Sequence, residues 1–305
     1  MKILITGGAG YIGNELSYRL AAAEEVDEIV VYDNLVKGNY NLFTGLRKLP
    51  KSNISFVRGD ILDSRKLAKT LEGVDVVFHL AAYVKTPFAA QNPHSFEQTN
   101  NWGTAEVVQT VEEAGIKRFI HLSSLSVYGF DRDINSVDDA ADPKTIYGAS
   151  KLHGEEHVQR LLSKLPTYIL RCANVYGYSK NLRIEAAINR MLFDAHFGKR
   201  ITIHSSGQQR RAFINIKRVV DALYGMLGTE LSSGAYNLVD KNITINDVGT
   251  ALSELYPGLE MIFVDQRLPT HDIVVRPDGR LDAVYTTKEL SLVEDLTDFR
   301  TMFTF

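Results

Sequence analysis

Residues 2–13 read "KILITGGAGYIG", an apolar run that passes directly into a glycine cluster. Such a sequence predicts a strand, a tight turn and the first turn of a helix. Gly7, Gly10 and Gly13 fit G-x-x-G-x-x-G, and Gly8, Gly10 and Gly13 fit G-x-G-x-x-G. Small residues at these positions permit a sharp turn and close backbone approach, while the helix amino terminus offers unpaired N–H groups to a pyrophosphate. A tight strand-to-helix turn that binds nothing uses the same residues, so the rest of the chain has to supply the context.

It supplies alternation. Apolar runs at 2–6, 28–33, 54–60, 75–82, 118–124 and 167–175 predict strands, with helices at about 11–22, 64–72, 97–114 and 147–164. The runs are continuously apolar rather than alternating, as suits strands covered on both faces. The fold class is therefore α/β, a doubly wound parallel sheet of the Rossmann type. The expected organisation is a dinucleotide-binding domain over 1–175, with return segments near 210–225, and a smaller mixed α/β substrate-binding region over 176–305.

The composition narrows the partners. The chain has 305 residues, 45% of them hydrophobic, with 34 Lys+Arg against 37 Asp+Glu and a net charge of −3. This near-balance gives no support to a nucleic-acid or membrane-surface partner. Cys172 is the single cysteine. That excludes an intramolecular disulfide and a cysteine-rich zinc site, so no metal centre is expected. Too few residues precede the glycines for a signal peptide, and no apolar run reaches membrane-spanning length. A cytoplasmic location is the expectation.

The second strand ends at Asp33, about 20 residues past Gly13, where a carboxylate accepts hydrogen bonds from adenosine ribose hydroxyls and repels a 2′-phosphate. NAD is thus expected over NADP, although Asp33-Asn34 also reads as a plain turn. Gly59-Asp60 ends the third strand where an adenine would pack, with a plain turn as the more strongly competing reading. Ser123 and Ser124 fall at the carboxyl end of the fifth strand, where ligands of open α/β sheets bind or where serines merely cap a turn. "YGASK" (147–151) opens a helix and places Tyr147 and Lys151 on one face.

In order along the chain, "TGGAGYIG", "YDNL", "GDI", "HLAA", "SSLSVYG", "YGASK", "LRCANVYG" and "GQQRRAFI" resemble the extended short-chain dehydrogenase/reductases, and within them the nucleotide-sugar epimerases and dehydratases. The resemblance covers roughly residues 1–225. It implies a catalytic set of Ser124, Tyr147 and Lys151, with Ser124 chosen over Ser123 because the family's hydroxyl lies three residues before the valine at Val127. It implies cofactor contacts from Gly7, Gly10, Tyr11, Ile12, Gly13, Asp33, Asn34, Asp60, Ile61, Leu80, Ala81, Ala82, Tyr147 and Lys151. Asn100 matches a cofactor-proximal asparagine, with helix capping an equal reading. On the substrate side it implies Ser124, Lys85, Asn174 and Arg211, the last a guanidinium suited to a diphosphate. Arg267 is a further candidate, for which a solvated surface arginine is the competing reading.

Lys151 and the nicotinamide cation would favour the phenolate of Tyr147, whose ordinary pKa near 10 is too high for a base at neutral pH. Family dehydratases carry Asp-Glu directly after the catalytic hydroxyl, where this chain has Leu125 and Ser126. The expected reaction is therefore 4-epimerisation of a nucleotide-sugar, with net oxidation by a dehydrogenase as the alternative and a non-catalytic NAD-binding regulator as a third class. Family relatives also imply a homodimer joined through the helices near 97–114 and 147–164, where Val107, Val108 and Val111 recur at helical spacing. Departures from the family pattern, Ala212 and Ile216-Lys217-Arg218, fall in the second half.

Overall fold

The computed structural model describes residues 1–42, 44, 53–84, 92–130, 132–264 and 271–303. Strands β1 (Lys2–Thr6), β2 (Glu28–Asp33), β3 (Ile54–Arg58), β4 (Val76–His79), β5 (Arg118–Ser124), β6 (Thr167–Cys172) and β10 (Gly234–Leu238) form one parallel sheet in the order β10-β6-β5-β4-β1-β2-β3. The order reverses between β1 and β4, and the crevice beyond their carboxyl ends is where an open α/β sheet binds ligands.

Helices cover both faces. α1 (Tyr11–Ala21) packs against α7 (Ile216–Gly225) on one side, and α2 (Ser64–Thr70) packs with α4 (Gly103–Ala114) on the other. Val107, Val108 and Val111 are almost fully buried there, in contact with Leu67, Leu71 and Phe119 or their neighbours in the same core. The valine stripe thus faces the chain's own core, and it gives no argument for a partner. A separate core is built by α6 (Ala187–Gly198), β8 (Arg200–His204), α8 (Ile245–Leu255) and α9 (Leu292–Arg300). β12 (Glu260–Val264) pairs with β8.

Two expected elements differ in a way that shapes the site. The run 167–175 is not one strand. After β6 the Ala173 N–H bonds to Leu238 O, and β7 (Asn174–Tyr176) then joins a second sheet with β9 (Arg210–Asn215) and β11 (Lys241–Thr244). The helix near 97–114 begins earlier, at α3 (Pro93–Phe96), and passes through a π-helical turn, Glu97–Trp102, before α4. Such turns hold one extra residue and recur at functional positions. This one carries Asn100.

α5 (Ile146–Val158) starts at Thr145, whose hydroxyl accepts a hydrogen bond from Gly148 N–H at 2.9 Å. Two glycines let it sit deep. A Cβ at Gly148 would overlap the Ser126 carbonyl of the 3₁₀ turn that follows β5 (Leu125–Tyr128), and one at Gly154 would lie 2.5 Å from the Asn100 carbonyl. Gly148→Ala is therefore expected to lower stability by about 1–3 kcal/mol through overpacking against backbone. It should also push α5 away from Ser124, so activity should fall more than the melting temperature explains. Thermal unfolding and turnover measured on the same preparation check this.

Candidate active site

The glycine turn is shaped by contact with β4. Gly7 has φ +68°, and a Cβ on it would stand 2.6 Å from the Ala81 nitrogen, so only glycine fits without strain. Gly13 sits equally close to the Gly7 carbonyl and Gly8 Cα. Gly10 caps α1 without any side-chain bond, which leaves the first-turn N–H groups for a ligand.

These residues open on a cleft of about 650 Å³. Its wall takes Gly7, Gly10, Tyr11, Ile12 and Gly13 from the turn and α1, Asp33 and Asn34 after β2, Asp60 and Ile61 after β3, and Leu80, Ala81 and Ala82 after β4. Asp33 accepts hydrogen bonds from Ala9 N–H at 3.1 Å on one oxygen and from Leu35 N–H at 2.8 Å on the other. Each oxygen retains a lone pair for a hydroxyl donor. Burial raises its pKa, and these two backbone bonds oppose the rise. Asn34 donates to Asp60 at 2.9 Å, tying the two strand ends together. A cradle of bare N–H groups beside a fixed carboxylate suits a dinucleotide.

Asn100 stands behind the wall. It is buried, accepts from Tyr83 N–H at 2.8 Å, and donates to Tyr83 O and to Ser150 of α5. It neither lines the cleft nor caps a helix; it fixes Tyr83, which does line it.

Ser124, Tyr147 and Lys151 come together beside the cleft. Successive residues of a strand face opposite ways, and the two serines divide accordingly. Ser123 donates to Glu155 of α5, whereas the Ser124 hydroxyl stands close enough to the Tyr147 phenol to draw its pKa down. Ser124 also exchanges bonds with Ser126, whose N–H reaches it at 3.2 Å. Lys151 is 2% exposed and donates to the Leu122 carbonyl at 2.8 Å.

The electrostatics differ from the expectation in one respect. Burial raises the pKa of Tyr147, and the groups that pull it back are Ser124, by its hydrogen bond, and then the Arg183 guanidinium. Lys151 is engaged by a backbone carbonyl instead, and burial lowers its own pKa to about 8 against the pull of Glu155.

Asn174 and Arg211 lie on β7 and β9 of the second sheet, not in this cleft. Asn174 is exposed and donates to Ala212 O at 3.0 Å, while Arg211 is half-buried beside Ile273. Burial lowers the pKa of Arg211, and Asp272 opposes this. Lys85 and Arg267 fall outside the described residues.

Sequence reasoning missed the segment 177–185, which closes the cleft. Asn181, Leu182, Arg183 and Glu185 line it. The segment is bonded to the glycine turn and α1: Tyr11 donates to Gly177 O at 2.6 Å, Ser179 to Tyr11 O at 3.0 Å and Asn181 to Ala9 O at 2.5 Å. Buried Asn189 of α6 accepts from Gly177 N–H and donates to Arg183 O. "YGYSKNLR" carries only loop-forming composition, and its role arises from contacts more than 160 residues apart. Asn189→Ala leaves two backbone groups without these partners, and a loss of about 1–3 kcal/mol is expected, measured as a lower urea midpoint at unchanged slope.

A Rossmann crevice of this shape beside a serine, tyrosine and lysine set defines the class of extended short-chain dehydrogenase/reductases. The chain belongs to the NAD dependent epimerase/dehydratase family, whose sequence model matches residues 3–238. It is 33% identical over 258 residues to a dTDP-D-glucose 4,6-dehydratase of Dictyostelium discoideum, an alignment spanning 78% of this chain and 58% of that protein. A Bacillus subtilis protein named as an uncharacterized UDP-glucose epimerase is 33% identical over 233 residues, 75% of this chain and 73% of the other. Among solved structures, the UDP-glucuronic acid 4-epimerase of Bacillus cereus in complex with UDP-glucuronic acid and NAD superposes with a TM-score of 0.86 at 26% identity, over 99% of this chain and 98% of that one.

Proposed function

We propose that the protein is an NAD-dependent nucleotide-sugar 4-epimerase that works through a transient 4-ketosugar. The observation that carries this reading is the placing of the Ser124 hydroxyl close enough to the Tyr147 phenol to draw its pKa down, with Lys151 one helical turn behind it, beside a cleft that fits NAD. When bound, NAD supplies a hydride acceptor and donor. The phenolate of Tyr147 takes the proton from the sugar C4 hydroxyl and the resulting phenol later returns it, while the Ser124 hydroxyl holds the same oxygen as it becomes a carbonyl. Lys151, charged below about pH 8, together with Arg183 and the bound cofactor's cationic ring, favours the phenolate that burial opposes.

The residues after Ser124 support epimerisation over dehydration. Elimination of water needs an additional acid and base. Leu125 is buried in the core and Ser126 is bonded to Ser124, so neither position supplies one. Among the described residues the carboxylates on the cleft wall are Asp33 and Asp60 at the adenine end and Glu185, which pairs with Arg183 at 3.3 Å. The 4-epimerase named above, alike over nearly its whole length, adds support. On the substrate side, Asn174 would meet the nucleotide-sugar and Arg211 its diphosphate. A homodimer would use the outer faces of the helical stretch 97–114 and of α5, with Trp102, at the end of the π-helical turn, 60% exposed.

Tyr147→Phe should lower turnover by at least about 100-fold, the scale of general acid–base catalysis, and leave NAD affinity nearly unchanged. A variant with most of its activity would remove Tyr147 from the chemistry. Wild-type turnover should fall as pH rises through about 8, because Lys151 then loses its proton. NAD should bind more tightly than NADP, and Asp33→Ser should narrow the difference. Direct titration of both cofactors against both proteins checks the role of Asp33. A panel of UDP-, GDP-, CDP- and dTDP-sugars, followed by NMR of the products and absorbance at 340 nm, tests the reaction itself. A C4 epimer without accumulating NADH is expected, and stoichiometric NADH with an oxidised sugar would make the protein a dehydrogenase.

A further inference from the structure

Ser123, Arg171 and Asn237 stand abreast on β5, β6 and β10, in direct register. Over this row lies Glu155, fully buried on α5 and one helical turn beyond Lys151. Its carboxylate accepts the Ser123 hydroxyl and three contacts from the Arg171 guanidinium, two from Nε at 3.2 and 3.1 Å and one from Nη2 at 2.8 Å. Arg171 also donates to the Tyr128 hydroxyl at 2.9 Å, and Tyr128 donates to Asn237 at 2.7 Å. None of these residues lines the cofactor cleft.

A buried ion pair is a weak device for stability alone, since well-packed apolar side chains of similar volume often serve as well. This one joins the two elements that carry the site. β5 presents Ser123 to Glu155 and, at its last residue, Ser124 to Tyr147, and α5 carries Tyr147, Lys151 and Glu155 on three successive turns.

The surroundings of Lys151 point the same way. On α5 it has Tyr147 and Glu155, from β4 His79, from β5 His121, and from β6 Cys172 and Arg171; the helix on its other side offers the uncharged Asn100 and Thr104. Burial lowers His79 to about 3 and His121 well below its ordinary range, so both rings are neutral. Burial likewise raises the Cys172 thiol far above neutrality. Among the described residues, Glu155 is the carboxylate that acts on Lys151.

We propose that Glu155 is a positioning residue for the Tyr147–Lys151 pair: fixed by Arg171 and Ser123, its carboxylate keeps Lys151 charged inside the protein and keeps α5 seated on the end of β5. The inference rests on the catalytic reading of Tyr147 and Lys151 given above. A lysine buried without a nearby anion favours its neutral form, and a neutral Lys151 no longer supports a phenolate.

The test is the pH profile of turnover. Glu155→Gln keeps the shape of the side chain and removes the charge, so the alkaline limb should move down by about one pH unit or more, the scale on which a close buried charge acts. Ser123→Ala removes one bond and keeps the charge, and its limb should stay in place; Glu155→Asp should restore most of the wild-type position. Glu155→Gln combined with Arg171→Gln leaves no guanidinium buried without its carboxylate, so it keeps the test usable if the single variant does not fold, and it should show the same downward shift. If turnover fell equally at every pH with the limb unmoved in a folded charge-removing variant, Glu155 would be structural only and the inference overturned. Retained activity in Tyr147→Phe would instead overturn the catalytic reading on which it rests.

Discussion

The candidate site hangs on the seating of α5 against the end of β5. Backbone meets backbone there: Gly148 lies on the Ser126 carbonyl and Gly154 on the Asn100 carbonyl. Both contacts exclude a Cβ, so the helix sits deeper than one with side chains at these positions could. That depth brings the Tyr147 phenol to the Ser124 hydroxyl and the Lys151 ammonium to the Leu122 carbonyl. The same depth desolvates both groups, which is why the phenol is raised and the ammonium lowered. The proposed acid–base pair is thus a product of close packing, with nearby charges correcting what burial does.

A second constraint joins distant parts of the chain. Segment 177–185 leaves the second sheet, is bonded to the glycine turn and α1, and brings Arg183 to the Tyr147 side of the cleft. β7 begins this path because the chain departs from the large sheet after Cys172. The pieces that follow do not all stay in the smaller part. α7 returns to pack on α1, and β10 adds a seventh strand beside β6.

What the sequence made legible follows from how local each signal is. The glycine turn, Asp33, the alternation of strands and helices and the Tyr147–Lys151 spacing are set by contacts within a strand–turn–helix unit, so their residue types declare them. Ser124 against Ser123 was decided by family likeness, and strand alternation explains it: the neighbour is taken by Glu155. Arg183 and Asn189 were invisible because their meaning depends on pairings across most of the chain. The helical spacing of Val107, Val108 and Val111 marked an apolar face without saying which surface it meets, and it meets the core. The spacing put Lys151 on the face of Tyr147, but it could not report that the ammonium is also held by the Leu122 carbonyl.

The proposed epimerisation asks the site to move one proton and hold one oxygen while the hydrogen on the sugar C4 leaves and returns. Nothing in the positions after Ser124 offers an acid or base for a neighbouring carbon. The most direct measurement follows that hydrogen. With a nucleotide-sugar substrate deuterated at C4, the account predicts a C4 epimer that keeps its deuterium at C4, with no exchange into solvent. Deuterium recovered in free NADH, or at another carbon of the sugar, would contradict it.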